Sequence, residues 1–255
     1  MQVKSKPVAA VLLAIVVLFS LVWANSAWNS GSNITALENT GTLFQVSQFN
    51  TFSAGNYEGN VTYAELAKHG DFGIGTVNGL DGEMVALDGV FYQIPVEGTP
   101  HQIGVTAQTP YATVTFFKAD QTIHLLDSLN YSQLTAYINS SLPAYNTIYA
   151  IKVHGTFDYA KTRSVPIQTK PYPPLAEAVS NQTVFTLGNV SGTAVGFWFL
   201  KSMDGVDFAG YHLHFITDNH SAGGHLLDCI VRNATIEIDQ IGKFEMVLPG
   251  SVNPP

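Results

Sequence analysis

Gly210-Tyr-His-Leu-His-Phe-Ile-Thr-Asp-Asn-His-Ser-Ala-Gly-Gly-His-Leu-Leu-Asp228 carries four of the chain's eight histidines. Residues two apart on a strand project to one face. His212 and His214 therefore point together, with Leu213 and Phe215 on the other side. Thr217–Gly224 is rich in turn residues and reverses the chain, which sets His225 beside His214 across a hairpin. The stretch reads as a β-hairpin with three imidazoles converging on one face. Three neutral nitrogen donors suit zinc, and three protein ligands leave a fourth position open, as catalytic sites do. The plainer alternative, histidines on a solvated hairpin face, fits a lone His-x-His better than three on one side. His220, in the connecting loop, is a weaker competing ligand. Asp228 is a candidate acceptor for a ligand's second ring nitrogen, and equally a strand-end surface carboxylate.

Outward from the hairpin, short apolar runs bounded by Gly, Asn, Asp and Pro recur along the chain. Leu43–Phe49, Gly73–Val77, Glu83–Leu87, Val90–Ile94, Thr113–Phe117, Thr147–Val153, Thr193–Leu200, Gly210–Ile216, Leu226–Val231 and Ala234–Ile238 read as strands. Asn78-Gly79 and Asp88-Gly89 read as hairpin turns. Tyr63–His69, Ser132–Ser140 and Leu175–Ser180 read as short helices; in the second, Leu134, Tyr137 and Ile138 fall at helical spacing. With 11% aromatic residues, 22 Gly and only 12% charged residues, the composition favours sheets and turns over helical bundles. Pro166-Ile-Gln-Thr-Lys-Pro-Tyr-Pro-Pro174 holds four prolines in nine residues, which no regular element accommodates. It marks a boundary between an N-terminal domain, 43–165, and a C-terminal metal-binding domain, 166–255.

The formal charge of −8 excludes a general nucleic-acid binder, which needs a basic patch. The single cysteine, Cys229, excludes an intramolecular disulfide framework and a Cys₄ or Cys₂His₂ zinc site. Lys4 and Lys6 precede Val8–Ala24, which carries no charge, and small residues follow at Ala24 and Ser26. Residues 1–27 thus read as a signal peptide or an N-terminal membrane anchor, followed by a polar spacer, 28–42. The expected location is outside the cell, secreted or anchored on the outer face of the membrane. Asn-x-Ser/Thr sequons at Asn33, Asn60, Asn130, Asn139, Asn181, Asn189, Asn219 and Asn233 agree with export.

Two further stretches stand out. Gly70–Gln93 is Gly-dense, lacks Gly-Lys-Ser/Thr, and presents Glu83 on a tight hairpin. Ile151–Pro166 presents Arg163 just before the proline stretch. Taken alone, each of the two is an ordinary surface charge.

Taken together with the histidine hairpin, these stretches resemble the alpha-acetolactate decarboxylase family. The matching segments are Gly75-Thr-x-x-x-Leu-Asp-Gly-Glu83, His154-Gly-x-Phe…Lys-Thr-Arg-Ser164 and His212-x-His…Gly-Gly-His-x-Leu-Asp228. They stand in the family's order, and the resemblance runs from about Leu43 to about Pro249. It implies an α+β fold of two domains built on mixed, mostly antiparallel β-sheets. It implies zinc on His212, His214 and His225, Glu83 and Arg163 lining the site from the other domain, and Thr76 as a substrate contact. The implied reaction converts the small molecule acetolactate (2-hydroxy-2-methyl-3-oxobutanoate) to acetoin and carbon dioxide, without an organic cofactor. A homodimer is implied as well. One departure is the C-terminal glutamate that reaches the active site in family members: no acid follows Glu245 here, and Glu245 itself alternates with Phe244 and Met246 in a strand.

Other readings predict other behaviour. An exported zinc hydrolase would take up water without releasing carbon dioxide; the metallopeptidase form is excluded because His-Glu-x-x-His is absent. A cupin barrel expects a Glu soon after His-x-His, where Asp218 and Asn219 stand. A non-catalytic metal-binding protein would hold zinc without turnover, and a purely structural β-domain would hold none.

Overall fold

Asp81–Leu87 shows how the sequence builds the fold. Val85 and Leu87 pack to one side and Met84 and Ala86 to the other, each side against its own apolar cluster. The computed structural model describes residues 41–143 and 146–248, and these belong to one compact unit. The leader, 1–27, and residues 28–40 of the spacer lie outside the described residues. Among the described residues, no helix is long and apolar enough to cross a membrane.

In chain order the first elements are β1 (Thr42–Val46), α1 (Phe49–Ser53), β2 (Val61–Thr62), α2 (Tyr63–Leu66), β3 (Phe72–Val77), β4 (Asp81–Leu87), β5 (Val90–Ile94), β6 (His101–Gln102), β7 (Gln108–Thr109) and β8 (Tyr111–Thr115). There follow β9 (Gln121–Leu125), β10 (Leu129–Asn130), α3 (Tyr131–Ser141), β11 (Ile148–Ser164), α4 (Leu175–Ala178), β12 (Thr183–Phe199), β13 (Gly210–Thr217), β14 (Gly223–Ile241) and β15 (Lys243–Val247). The first sheet has the order β15-β1-β8-β3-β4-β5-β6, antiparallel except for the β1–β15 pair. The second has the order β10-β14-β11-β12-β13, with β9 also on β14, and is antiparallel throughout. The start of β14 also pairs with β13, so β11, β12, β13 and β14 close a ring of pairings.

The sheets stack through a shared cluster: Leu43, Phe72, Ile74, Val85 and Ile94 from the first meet Ile148, Ala150, Val195, Phe197 and Ile216 from the second. Phe72 and Phe197 meet edge to face with centroids 6.0 Å apart. Burying a side chain of that size contributes about 1.5–3 kcal/mol. Helix α3 covers the far face of the second sheet with Leu134 and Ile138, one turn apart. Helix α2 covers the far face of the first sheet with Tyr63 and Leu66.

The expected antiparallel sheets are thus present, with longer strands than the sequence suggested. The runs read as two strands at Leu226–Val231 and Ala234–Ile238 are one, β14, bent at Asn233 with φ +47°. Strand β12 continues through Asn189, with φ +51°. Asn233 lies at a β-bulge that looks like a turn in sequence, whereas the β11–β12 register runs through Asn189 without a shift. The Asn78-Gly79 turn takes in a third residue, Leu80, because Val77 pairs with Asp81. The proline stretch does not separate the sheets: β11 before it and β12 after it are neighbours, and β15 returns to the first sheet. The end of β11 and the start of the stretch instead dock one sheet on the other. Ser164 Oγ donates to Ile94 O (2.7 Å), Gly82 N to Val165 O (3.1 Å) and Gln168 N to Gly79 O (2.7 Å).

Candidate active site

The hairpin forms as its alternation requires. His212 and His214 lie on β13, and His225 opens β14 directly opposite His214. One ring nitrogen from each lies within 4.8 Å of the others. His214 Nδ1 lies 2.8 Å from Met84 O on β4. A carbonyl only accepts, so Nδ1 carries the proton and Nε2 keeps its lone pair. His212 Nδ1, His214 Nε2 and His225 Nδ1 are buried without a hydrogen-bond partner. Burial drives the pKa of all three rings down, to about 3 for His214, and the Arg163 charge pushes the same way. Three neutral imidazoles with a buried unsatisfied nitrogen apiece are the donor set a divalent zinc ion takes.

Arg163 ends the row. On β11 it stands directly opposite His225, as His214 does from the other side. Gly224 permits this closure: its φ is +130°, and a Cβ there would lie 2.4 Å from Arg163 O. Glu83 comes from the other sheet. Its Oε1 is 3.3 Å from Arg163 Nη1 and its Oε2 is 3.3 Å from His214 Nε2. Burial raises the Glu83 pKa, and the Arg163 charge opposes that rise in part. Thr76 lines the same space, and its hydroxyl donates to Gly82 O at 2.7 Å, so it holds the backbone just before Glu83.

These residues surround a cavity of about 190 Å³. All six site residues expected from sequence line it: Thr76, Glu83, Arg163, His212, His214 and His225. The cavity also has an apolar wall from Phe49, Phe52, Leu80, Tyr111, Leu175 and Phe208, which no sequence motif announced. Other candidates fall away. His220 packs against Tyr92 with the rings tilted and centroids 4.6 Å apart, outside the cluster. Asp228 is exposed and accepts from Cys229 N, so the acceptor beside the histidines is the Met84 carbonyl instead. Glu245, which the sequence already sets apart from the family's C-terminal glutamate, is half-buried and pairs with Lys243 on β15.

A sequence model of the alpha-acetolactate decarboxylase family matches residues 43–253. The chain belongs to the alpha-acetolactate decarboxylase family. Relatives of that name include one from Methanosarcina mazei, 47% identical over 86% of this chain and 80% of the relative. One from Bacillus subtilis is 38% identical over 83% of each. The crystal structure of alpha-acetolactate decarboxylase from Bacillus subtilis strain 168 matches with a TM-score of 0.81 and 38% identity, over 83% of this chain and 90% of that one. Proteins of this family are carboxy-lyases, and this chain is an enzyme of that class. The mostly antiparallel sheets described above match those of the Bacillus subtilis decarboxylase structure.

Proposed function

We propose that this chain decarboxylates acetolactate to acetoin and carbon dioxide, with zinc held by His212, His214 and His225. The observation that carries this reading is the convergence of three neutral imidazoles with the Glu83–Arg163 pair in one cavity. When bound, the metal supplies Lewis-acid stabilisation of the charge that develops on the substrate's ketone and hydroxyl oxygens.

Arg163 binds the substrate carboxylate by charge-assisted hydrogen bonds and orients it for departure. The bond between C1 and C2 breaks, carbon dioxide leaves, and its bonding electrons stay on the substrate as an enediolate. Glu83, whose pKa burial raises against the Arg163 charge, delivers the proton that completes acetoin and regains one from solvent. Its fixed place between Arg163 and His214 restricts delivery to one face of the planar enediolate. The apolar wall keeps water from that face. Export by the N-terminal leader, with the enzyme secreted or anchored on the outer membrane face, belongs to the same proposal, as does a homodimer.

Glu83→Gln tests the assignment. The variant is expected to keep its metal content while acetoin formation falls by about 100-fold or more. Retained turnover in a metal-loaded variant would remove Glu83 from the chemistry.

A further inference from the structure

We propose that Phe208, packed with Phe49, sets the size limit for the alkyl group on C2 of the substrate. The inference rests on the decarboxylase reading above and concerns a part of the cavity which that reading uses only to exclude water. The cavity is divided by chemistry. Its charged and metal-binding groups come from strands: Glu83 from β4, Arg163 from β11, and the histidines from β13 and β14. Its apolar side chains come largely from non-strand segments: Phe49 and Phe52 from α1, Leu175 from α4, and Phe208 from the loop before β13. A 2-hydroxy-3-oxo acid has a carboxylate, a hydroxyl and a ketone to satisfy the charged side. Turning an alkyl group there would set the substrate's carboxylate or oxygen atoms against the apolar wall without partners, which is costly. The alkyl substituent therefore faces the apolar wall.

The loop that carries Phe208 is fixed to the rest of the wall. Val206 O accepts from Phe49 N (2.9 Å) and Gln45 Nε2 (2.6 Å), and Gly205 O accepts from Asn50 N (3.0 Å). Asp207 accepts from Thr113 Oγ1 (3.0 Å) and from Phe208 N (2.6 Å). The Phe208 ring stands edge-on to Phe49 at 6.0 Å and to the ligand His212 at 5.8 Å between centroids. It lines the cavity while 47% exposed, which places it at the mouth, next to the metal ligands. A bulky side chain on a tethered loop cannot retreat from a larger substituent. One methylene in such a pocket changes specificity by about 10-fold to 200-fold.

The test compares kcat/KM for acetolactate and its 2-ethyl and 2-propyl homologues in the wild-type enzyme, Phe208→Ala and Phe208→Leu. Affinities for the corresponding 3-hydroxy analogues, which cannot decarboxylate, are measured in parallel by calorimetry. The ethyl-to-methyl and propyl-to-methyl ratios are expected to rise about 10-fold in Phe208→Ala and less in Phe208→Leu, with analogue affinities shifting in the same order. Ratios within twofold of wild type in both folded variants would overturn the assignment. A wild-type enzyme that leaves acetolactate intact would overturn the decarboxylase reading instead, and the analogue affinities would still decide the role of Phe208.

Discussion

His214 shows that a candidate metal ligand's setting is not local in sequence. Its alternation with His212 is legible in five residues, yet the carbonyl that fixes its tautomer belongs to Met84, on the other sheet. The Thr76 hydroxyl is similar: expected to meet substrate, it lines the cavity while donating to Gly82 O. Gly224 is the residue on which the site's closure most depends. Its positive φ and the contact a Cβ would make with Arg163 O leave no room for a side chain. Gly224→Ala should cost about 1–3 kcal/mol of stability and displace Arg163 and His225 together. A thermal melt and metal titration check this. Unchanged melting and metal affinity would show that the backbone there relaxes at no cost.

Among the elements, β13 and the start of β14 were the most legible, because two-residue alternation and a turn-rich loop agree. The lengths of β11, β12 and β14 were not. Gly155, Asn189 and Asn233 look like turn residues, and only pairing with neighbouring strands carries the chain through these positions. The apolar wall was illegible for a related reason: α1 and the Phe208 loop are short and lack periodicity, and tertiary hydrogen bonds place them. Helix α3 was readable from Leu134 and Ile138, and it begins with a capping box. Asn130 Oδ1 accepts from Gln133 N at 2.9 Å, and Gln133 Oε1 accepts from Asn130 N at 3.0 Å. Asn130→Ala should therefore lower stability by about 1 kcal/mol and leave acetoin formation unchanged, since α3 packs on the face of the second sheet away from the cavity. Chemical denaturation measures the first and an activity assay the second.

For the molecule as a whole, stacked sheets bring Glu83 both to the histidines and to Arg163, which share the second sheet. The same stacking buries carboxyl groups outside the site. Asp239 accepts from Lys118 N, lies near Asp120 and Asp71, and has its pKa pushed up to about 6, by burial first. Asp207 is likewise raised to about 6 by burial. Between about pH 4 and pH 6 the folded protein holds protons that the unfolded chain has released, so these groups make stability fall as pH rises through that window. Asp239→Asn should flatten that slope and stabilise the protein at pH 7 by about 1–2 kcal/mol. Melting temperatures at pH 5 and pH 7 for both proteins decide it, and parallel curves would contradict it. The proposed function requires the clustered imidazoles to hold a metal on which decarboxylation depends. Its most direct test is release of carbon dioxide and acetoin from racemic acetolactate by the purified full-length chain, with zinc and after chelation. Carbon dioxide and acetoin are expected in equimolar amounts, abolished by the chelator and restored by zinc. A folded, zinc-loaded protein that releases neither, or equal turnover with and without the metal, would contradict it.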